Sequence, residues 1–165
     1  MDRLPALRRL GHALARAGAC YTGRMAEKDA GELYGDAHVA SYRETGGEFG
    51  HLWRGAPTLL LTTTGAKSGE PRTMALIYGR SGDDYLLVAS NGGAADHPQW
   101  FKNLSRTPDV ELQVRDEVFR ARARVATDEE KPAMWREMTS HWPAYDRYQE
   151  KTDRPIPLVV LERVA

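Results

Sequence analysis

Little in this chain would anchor it by covalent bonds or by charge of one sign. One cysteine, Cys20, among 165 residues excludes an intramolecular disulfide framework and any multi-cysteine zinc site. Lys plus Arg number 23 and so do Asp plus Glu, so there is no overall basic field for general nucleic-acid binding. No nucleic-acid partner is expected. The longest apolar runs are about five residues, against the ~20 of a membrane-spanning helix. The five histidines, His12, His38, His51, His97 and His141, show no paired ligand spacing, so no metal is expected. No dinucleotide glycine fingerprint joins a strand to a helix. Ser68 and Ser90 lack the flanks of a nucleophile elbow, and no cysteine–histidine pair is evident. What remains is an ordinary globular balance, 41% hydrophobic and 28% charged, at the length of one domain. It reads as a cytoplasmic, soluble domain.

Near the N-terminus Leu7, Leu10, Leu14 and Ala17 share one helical face, while Arg8, Arg9, His12 and Arg16 occupy the other. Residues 1–24 hold five arginines and one aspartate. Ala17-Gly18-Ala19-Cys20 loosely follows a lipoprotein cleavage pattern, but His12 and Arg16 interrupt the apolar stretch such a signal needs. No signal peptide is expected. An amphipathic helix within an extension over residues 1–30 is expected instead. In the favoured reading it packs on its own domain or on a second subunit of a homo-oligomer. Peripheral contact with a membrane surface is the alternative.

The remaining residues, 31–165, read as one mainly β domain. Ten of the fifteen glycines fall between Gly46 and Gly93, which concentrates the tight turns mid-chain. Asp36 is expected to cap a short helix carrying His38 and Tyr42 that Gly46-Gly47 ends. Strands are expected at Thr58–Thr64, Thr73–Gly79, Tyr85–Ser90 and Ile156–Leu161. Val110, Leu112 and Val114 alternate with polar residues, as do Phe119, Ala121, Ala123 and Val125 across a turn near Asp116, which predicts a hairpin with one apolar face. Arg120, Arg122 and Arg124 fall on its solvated face. Short helices are expected around Trp100–Leu104, from Thr127-Asp128-Glu129-Glu130 onward, and through Tyr145–Gln149. Connections this short favour antiparallel pairing. Five or six antiparallel strands with short helices suggest an α+β fold of small closed or split barrel type.

Two segments carry chemistry. In Gly65-Ala66-Lys67-Ser68-Gly69-Glu70-Pro71-Arg72 the glycines free the backbone to turn amides toward an anion, Ser68 adds a hydroxyl, and Lys67 and Arg72 add cations. The nucleotide-hydrolase phosphate loop is excluded, because Ala66 and Leu61 stand where it needs glycine and a strand follows where it needs a helix. An anion site and a solvated turn both fit. Ser90-Asn91-Gly92-Gly93 permits close backbone approach to a flat ligand, and Trp100, Phe101 and Asn103 follow it. Tyr145 and Tyr148 lie about one helical turn apart beside Trp142. They fit an aromatic gate or plain packing.

These segments, in this order, resemble the deazaflavin (coenzyme F420)-dependent nitroreductase and quinone reductase family of actinobacteria, within the flavin-binding split β-barrel superfamily. The resemblance runs from His38, Tyr42, Thr45 and Gly46 through Trp53, Gly55, Pro57 and the LLLTTTG run ending at Gly65. It continues through Lys67, Ser68, Gly69, Pro71 and Arg72, then Ser90, Gly92, Gly93, Pro98, Trp100, Asn103, Leu104, Pro108 and Val110. It closes on Pro143, Tyr145, Tyr148, Gln149, Thr152, Arg154, Ile156 and Pro157, covering roughly residues 38–162.

The resemblance implies an antiparallel split β-barrel and an enzyme that passes a hydride from reduced coenzyme F420 to a small planar acceptor such as a quinone, nitroaromatic or enone. It implies that Lys67, Ser68 and Arg72 bind the cofactor's phosphate or acidic tail. Thr73, Met74, Ala75, Leu76 and Ile77, with Val88, Ala89, Ser90 and Asn91, approach the ring through backbone. Gln99, Trp100, Phe101, Lys102 and Asn103 close over it. Tyr145 lies between cofactor and substrate; Trp142, Tyr145 and Tyr148 contact the acceptor; and Tyr145, Tyr148 or Ser90 donates a hydrogen bond or proton. Ala66, Ala75 and Asn91 stand where relatives usually carry arginine, proline and lysine. Trp142 stands at a tyrosine of a nitroimidazole-activating relative, so prodrug reduction is not implied. An FMN-dependent reductase of the same barrel class and a non-catalytic deazaflavin carrier or sensor are the alternatives.

Overall fold

Leucine and β-branched runs form the frame, in a computed structural model that describes residues 27–164. Nine strands and four helices lie among the described residues. The two-residue β1 (Lys28–Asp29) and β2 (Phe49–Trp53) flank α1 (Gly35–Thr45), and β3 (Ala56–Thr64) and β4 (Pro71–Ile77) follow. Next come β5 (Gly79–Ser81), β6 (Asp84–Val88), one 3-10 turn at Asn91–Gly93, and α2 (Gln99–Arg106). The hairpin β7 (Asp109–Val114) and β8 (Glu117–Val125), helices α3 (Lys131–His141) and α4 (Ala144–Glu150), and β9 (Leu158–Arg163) complete the chain.

The β3 run has apolar neighbours on both faces. Leu59 and Leu61 enter one core with Leu87, Leu112, Val159 and Leu161, while Leu60 meets Val39 and Tyr42 of α1. The same holds for β6 and β9: Leu86, Val88, Leu158 and Val160 pack on Met138 and Tyr145 from the helices. That two-sided burial is why IPLVVL shows no alternation. The β7–β8 hairpin does alternate, with Val110, Leu112, Phe119, Ala121 and Ala123 inward and Arg120 and Arg122 exposed. Val125 departs from that pattern and is exposed, because the strand ends there.

The hydrogen-bonded strand order is β1-β2-β3-β7-β8-β9-β6-β5, with β4 also paired to β3. This corrects three expectations. There are nine strands rather than five or six, and β1 pairs with β2 in parallel. The third correction is that the ladder is an open sheet, not a closed barrel. Of its free strands β1, β4 and β5, the last two are nevertheless consecutive in the chain with only Tyr78 between them.

Helix boundaries also differ in part. Tyr34, not Asp36, holds the N-cap position of α1, and Asp36 lies in the first turn. Gly46 ends the helix with φ of 58°, a left-handed conformation that costs glycine little. Before α3, Thr127 N–H donates to Glu130 Oε2 at 2.9 Å and Glu130 N–H donates to Thr127 Oγ1 at 3.2 Å. That reciprocal pair is a capping box. The amphipathic helix expected before residue 25, with its membrane or subunit contact, lies outside the described residues. No helix among those described is long and apolar enough to cross a membrane.

Candidate active site

The turn from β3 to β4 is built around anchored peptide groups. Gly65 N–H donates to Glu70 O at 2.8 Å and Gly69 N–H to Gly65 O at 2.9 Å. Asn103 of α2 clamps the turn from the side: its Oδ1 accepts from Ala66 N–H at 3.0 Å and from Gln99 Nε2 at 2.9 Å, and its Nδ2 donates to Thr63 Oγ1 at 3.1 Å. Arg106 Nη1 donates to Ala66 O at 2.9 Å. With Ala66 fixed at both ends, the Lys67 and Ser68 amides make no hydrogen bond to a described residue. The Lys67 and Arg72 side chains are exposed and form no ion pair with a described residue. Two uncompensated cations beside two open amides are suited to an anion.

Asn103 is 2% exposed, and all its polar atoms are used inside the protein. Asn103→Ala is expected to cost about 2–3 kcal/mol, since Thr63 and the Ala66 amide lose partners in a buried setting. Urea denaturation reads this loss.

A cavity of about 380 Å³ opens on this turn. Lys67, Ser68, Arg72, Thr73, Met74, Gln99, Trp100 and Asn103 line it. A second cavity of about 400 Å³ shares Met74 and Trp100 with the first. Of the residues singled out in the sequence, Ala75, Leu76, Ile77, Val88, Ser90, Asn91, Trp142, Tyr145 and Tyr148 line this second space. Ala89, Phe101 and Lys102 line neither. Ala89 is sealed in the core, Phe101 packs against that core, and Lys102 is exposed.

The second cavity has an aromatic wall. Trp142 and Trp53 have ring centroids 5.5 Å apart, Trp53 meets Tyr34 edge-on at 5.7 Å, and Tyr145 meets Tyr148 edge-on at 6.1 Å. Trp142 Nε1 points at Tyr148 Oη at 3.4 Å. Tyr145 is 6% exposed, and its hydroxyl bonds to no described residue. Burial, with a smaller contribution from Tyr148, pushes the Tyr145 phenol well above its ordinary value. It is therefore a protonated donor across the physiological range.

Sequence reasoning missed one side of this wall. Leu33, Tyr34, His38, Trp53 and Thr58 also line the cavity. His38 Nε2 donates to Gly50 O at 2.7 Å and Trp53 Nε1 to Leu33 O at 2.9 Å. Among the described residues no group of His, Cys, Asp and Glu is arranged to hold a metal ion.

Residues 35–163 match the model of the F420H(2)-dependent quinone reductase family. The chain belongs to that family. An F420H(2)-dependent quinone reductase of Mycobacterium tuberculosis is 43% identical over 144 residues, covering 85% of this chain and 97% of the relative. A solved structure described as an F420-H2 dependent reductase (FDR-A) superposes with a TM-score of 0.60 at 40% identity, covering 64% of this chain and 94% of that one. A second solved structure, described as a domain-swapped dimer, gives 0.63 at 38% identity, covering 75% and 91%. The anion turn and the aromatic wall thus line two neighbouring cavities that share Met74 and Trp100.

Proposed function

We propose that this chain is an F420H2-dependent quinone reductase whose cofactor lies along the two neighbouring cavities. The observation that carries the reading is that the two cavities adjoin at Met74 and Trp100, with unpaired cations in one and an aromatic wall in the other. The donor set fits the group: Lys67, Arg72, the Ser68 hydroxyl and the free amides suit the anionic tail. The backbone of β4 and the Ser90–Gly92 loop suit a flat ring that needs close approach. When bound, reduced F420 supplies the hydride. The protein orients the partners and excludes water. Trp53, Trp142 and Tyr148 offer planar surfaces to the acceptor. Tyr145 offers a hydrogen bond to the acceptor oxygen as negative charge develops there, and the Ser90 hydroxyl lies on the same cavity.

The open sheet, two of whose free strands, β4 and β5, meet at Tyr78, supports the split-barrel arrangement. The family match over residues 35–163 supports a cofactor-binding domain over 31–165, and the pairing of Lys28–Asp29 with β2 carries that domain back to Lys28 and shortens the extension proposed for residues 1–30. The domain-swapped dimer among the solved relatives supports a homo-oligomer, which sedimentation reads directly.

Calorimetric titration with F420 and with FMN in turn tests the cofactor assignment. Tighter binding of F420 supports it, because its anionic tail reaches both Lys67 and Arg72. Equal or tighter binding of FMN contradicts it. Trp142→Ala is expected to raise KM for bulky quinones by about three- to tenfold, the worth of one well-placed aromatic pair. Steady-state kinetics across quinones of increasing size checks this, and an unchanged KM for all of them removes Trp142 from the acceptor site.

A further inference from the structure

The loop that carries Ser90, Asn91 and Gly92 needs outside support. Asn91, Gly92 and Gly93 have φ of 47°, 65° and 83°, three left-handed residues in a row, of which Asn91 is not glycine. Inside the loop, Gly93 N–H donates to Ser90 O at 2.9 Å, Ala94 N–H to Asn91 O at 3.1 Å, and Asn91 Nδ2 to Asp96 O at 3.0 Å. Outside support comes from one backbone bond, Ala89 N–H to Pro157 O at 2.9 Å, and from one distant side chain. Arg154 Nη2 donates to Ser90 O at 2.8 Å, Nη1 to Ala89 O at 3.4 Å and to His97 Nδ1 at 3.2 Å, and Nε to Ala94 O at 2.9 Å. One guanidinium therefore grips both ends of residues 89–97.

The grip extends to both neighbouring helices. The His97 ring lies 4.8 Å from that of Phe101, in the first turn of α2, which also carries Trp100. On the other side Gly93 abuts α4, where an added Cβ would sit 2.6 Å from Tyr148 O. We infer that Arg154 is a positioning residue for hydride transfer, holding the Ser90–Gly92 wall against α2 and α4 so that the ring cavity keeps one shape. This rests on the quinone reductase reading of that cavity. Arg154 itself lines neither cavity.

A guanidinium only donates, so His97 must accept through Nδ1 and carry its hydrogen on Nε2. The groups acting on His97 are Arg154, Lys102 and Asp96. Burial, then Arg154 and Lys102, hold its imidazole below the ordinary value of 6.5, against the opposing pull of Asp96. Folding thus favours the neutral ring. The grip is complete above the ordinary histidine range and is lost as pH falls through the lowered value, when a protonated Nδ1 faces a donor.

The test uses the full chain with Arg154→Gln, Arg154→Lys and His97→Asn, assayed with F420H2 and a soluble naphthoquinone. Amide hydrogen exchange across residues 89–97 is read on the same proteins without cofactor. Arg154→Gln is expected to lower kcat by about tenfold or more while quinone KM and F420 Kd stay within about threefold, as misplacement rather than lost binding dictates. Exchange across 89–97 should quicken by about tenfold, and Arg154→Lys should recover part of both effects. Wild-type kcat should hold at and above the ordinary histidine value of 6.5 and fall only as pH drops below it, and His97→Asn, which accepts but cannot titrate, should flatten that fall. Wild-type kcat per folded molecule in Arg154→Gln, or unchanged exchange across 89–97, overturns the inference. Should Arg154→Gln fail to fold, Arg154→Lys and His97→Asn are judged by the same two readouts. A wild-type protein that never oxidises F420H2 overturns the functional reading instead, while the exchange measurement still decides whether Arg154 holds the loop.

Discussion

Tyr145→Phe is expected to lower kcat for quinone reduction by about 10- to 100-fold, with quinone KM and cofactor affinity nearly unchanged. The substitution removes one oxygen and leaves the ring. Its contacts with Trp135 and Tyr148, at centroid distances of 6.3 and 6.1 Å, and its packing beside Met138 and Ile156 survive. Stability should therefore move little. What is lost is a donor aimed at an oxygen whose charge grows on the way to the transition state, and such losses appear in kcat rather than KM. Because burial holds the phenol above its ordinary range, Tyr145 contributes no alkaline limb near neutral pH. Steady-state kinetics beside thermal melts decides the matter. If Tyr145→Phe keeps full turnover per folded molecule, the hydroxyl only packs.

The second large effect falls at the anion turn. Lys67→Ala and Arg72→Ala should each weaken cofactor binding by about 1–3 kcal/mol, the range for a hydrogen bond to a charged group. Both side chains are exposed and unpaired with any described residue, so their removal costs the fold little and the tail much. Arg122→Ala is the control: its side chain is 65% exposed and 3.9 Å from Asp109, a surface pair worth little. Calorimetry on the three variants reads the difference, and equal dissociation constants would place the tail elsewhere. Unlike Tyr145→Phe, these changes should leave kcat at saturating cofactor almost intact.

Legibility in the sequence followed pattern strength. The β7–β8 hairpin and the β3 and β9 runs were readable because alternation or a continuous apolar run records how many faces are buried. The strand β2 was not, since FGHLW is short and carries Gly50 at φ 138°. Strands β1 and β5 hold two and three residues, too few for any period. Between the closed and the split barrel the residue pattern made no choice, because sequence shows strand number and turn length but not which edges pair.

At the site, the cations and the loop glycines were visible because both are local signals. The Tyr34–Trp53–His38 wall was not, because it forms only when β2 brings Trp53 between Tyr34 and the distant Trp142. Asn103 was assigned to the cofactor, yet its amide is spent on Thr63, Ala66 and Gln99. Arg154 matched the family pattern without revealing a task, since three of its four partners are backbone carbonyls that leave no trace in residue identity.

The most direct test of the central claim is a single turnover. The purified protein is loaded with one equivalent of F420H2 and mixed with excess naphthoquinone, and the return of oxidised F420 absorbance is followed in time. The account predicts rapid, complete oxidation with matching hydroquinone, slowed in Tyr145→Phe, and no comparable reaction when reduced FMN replaces F420H2. Tight binding of F420H2 with no oxidation beyond the protein-free rate would contradict it and leave a carrier rather than an enzyme.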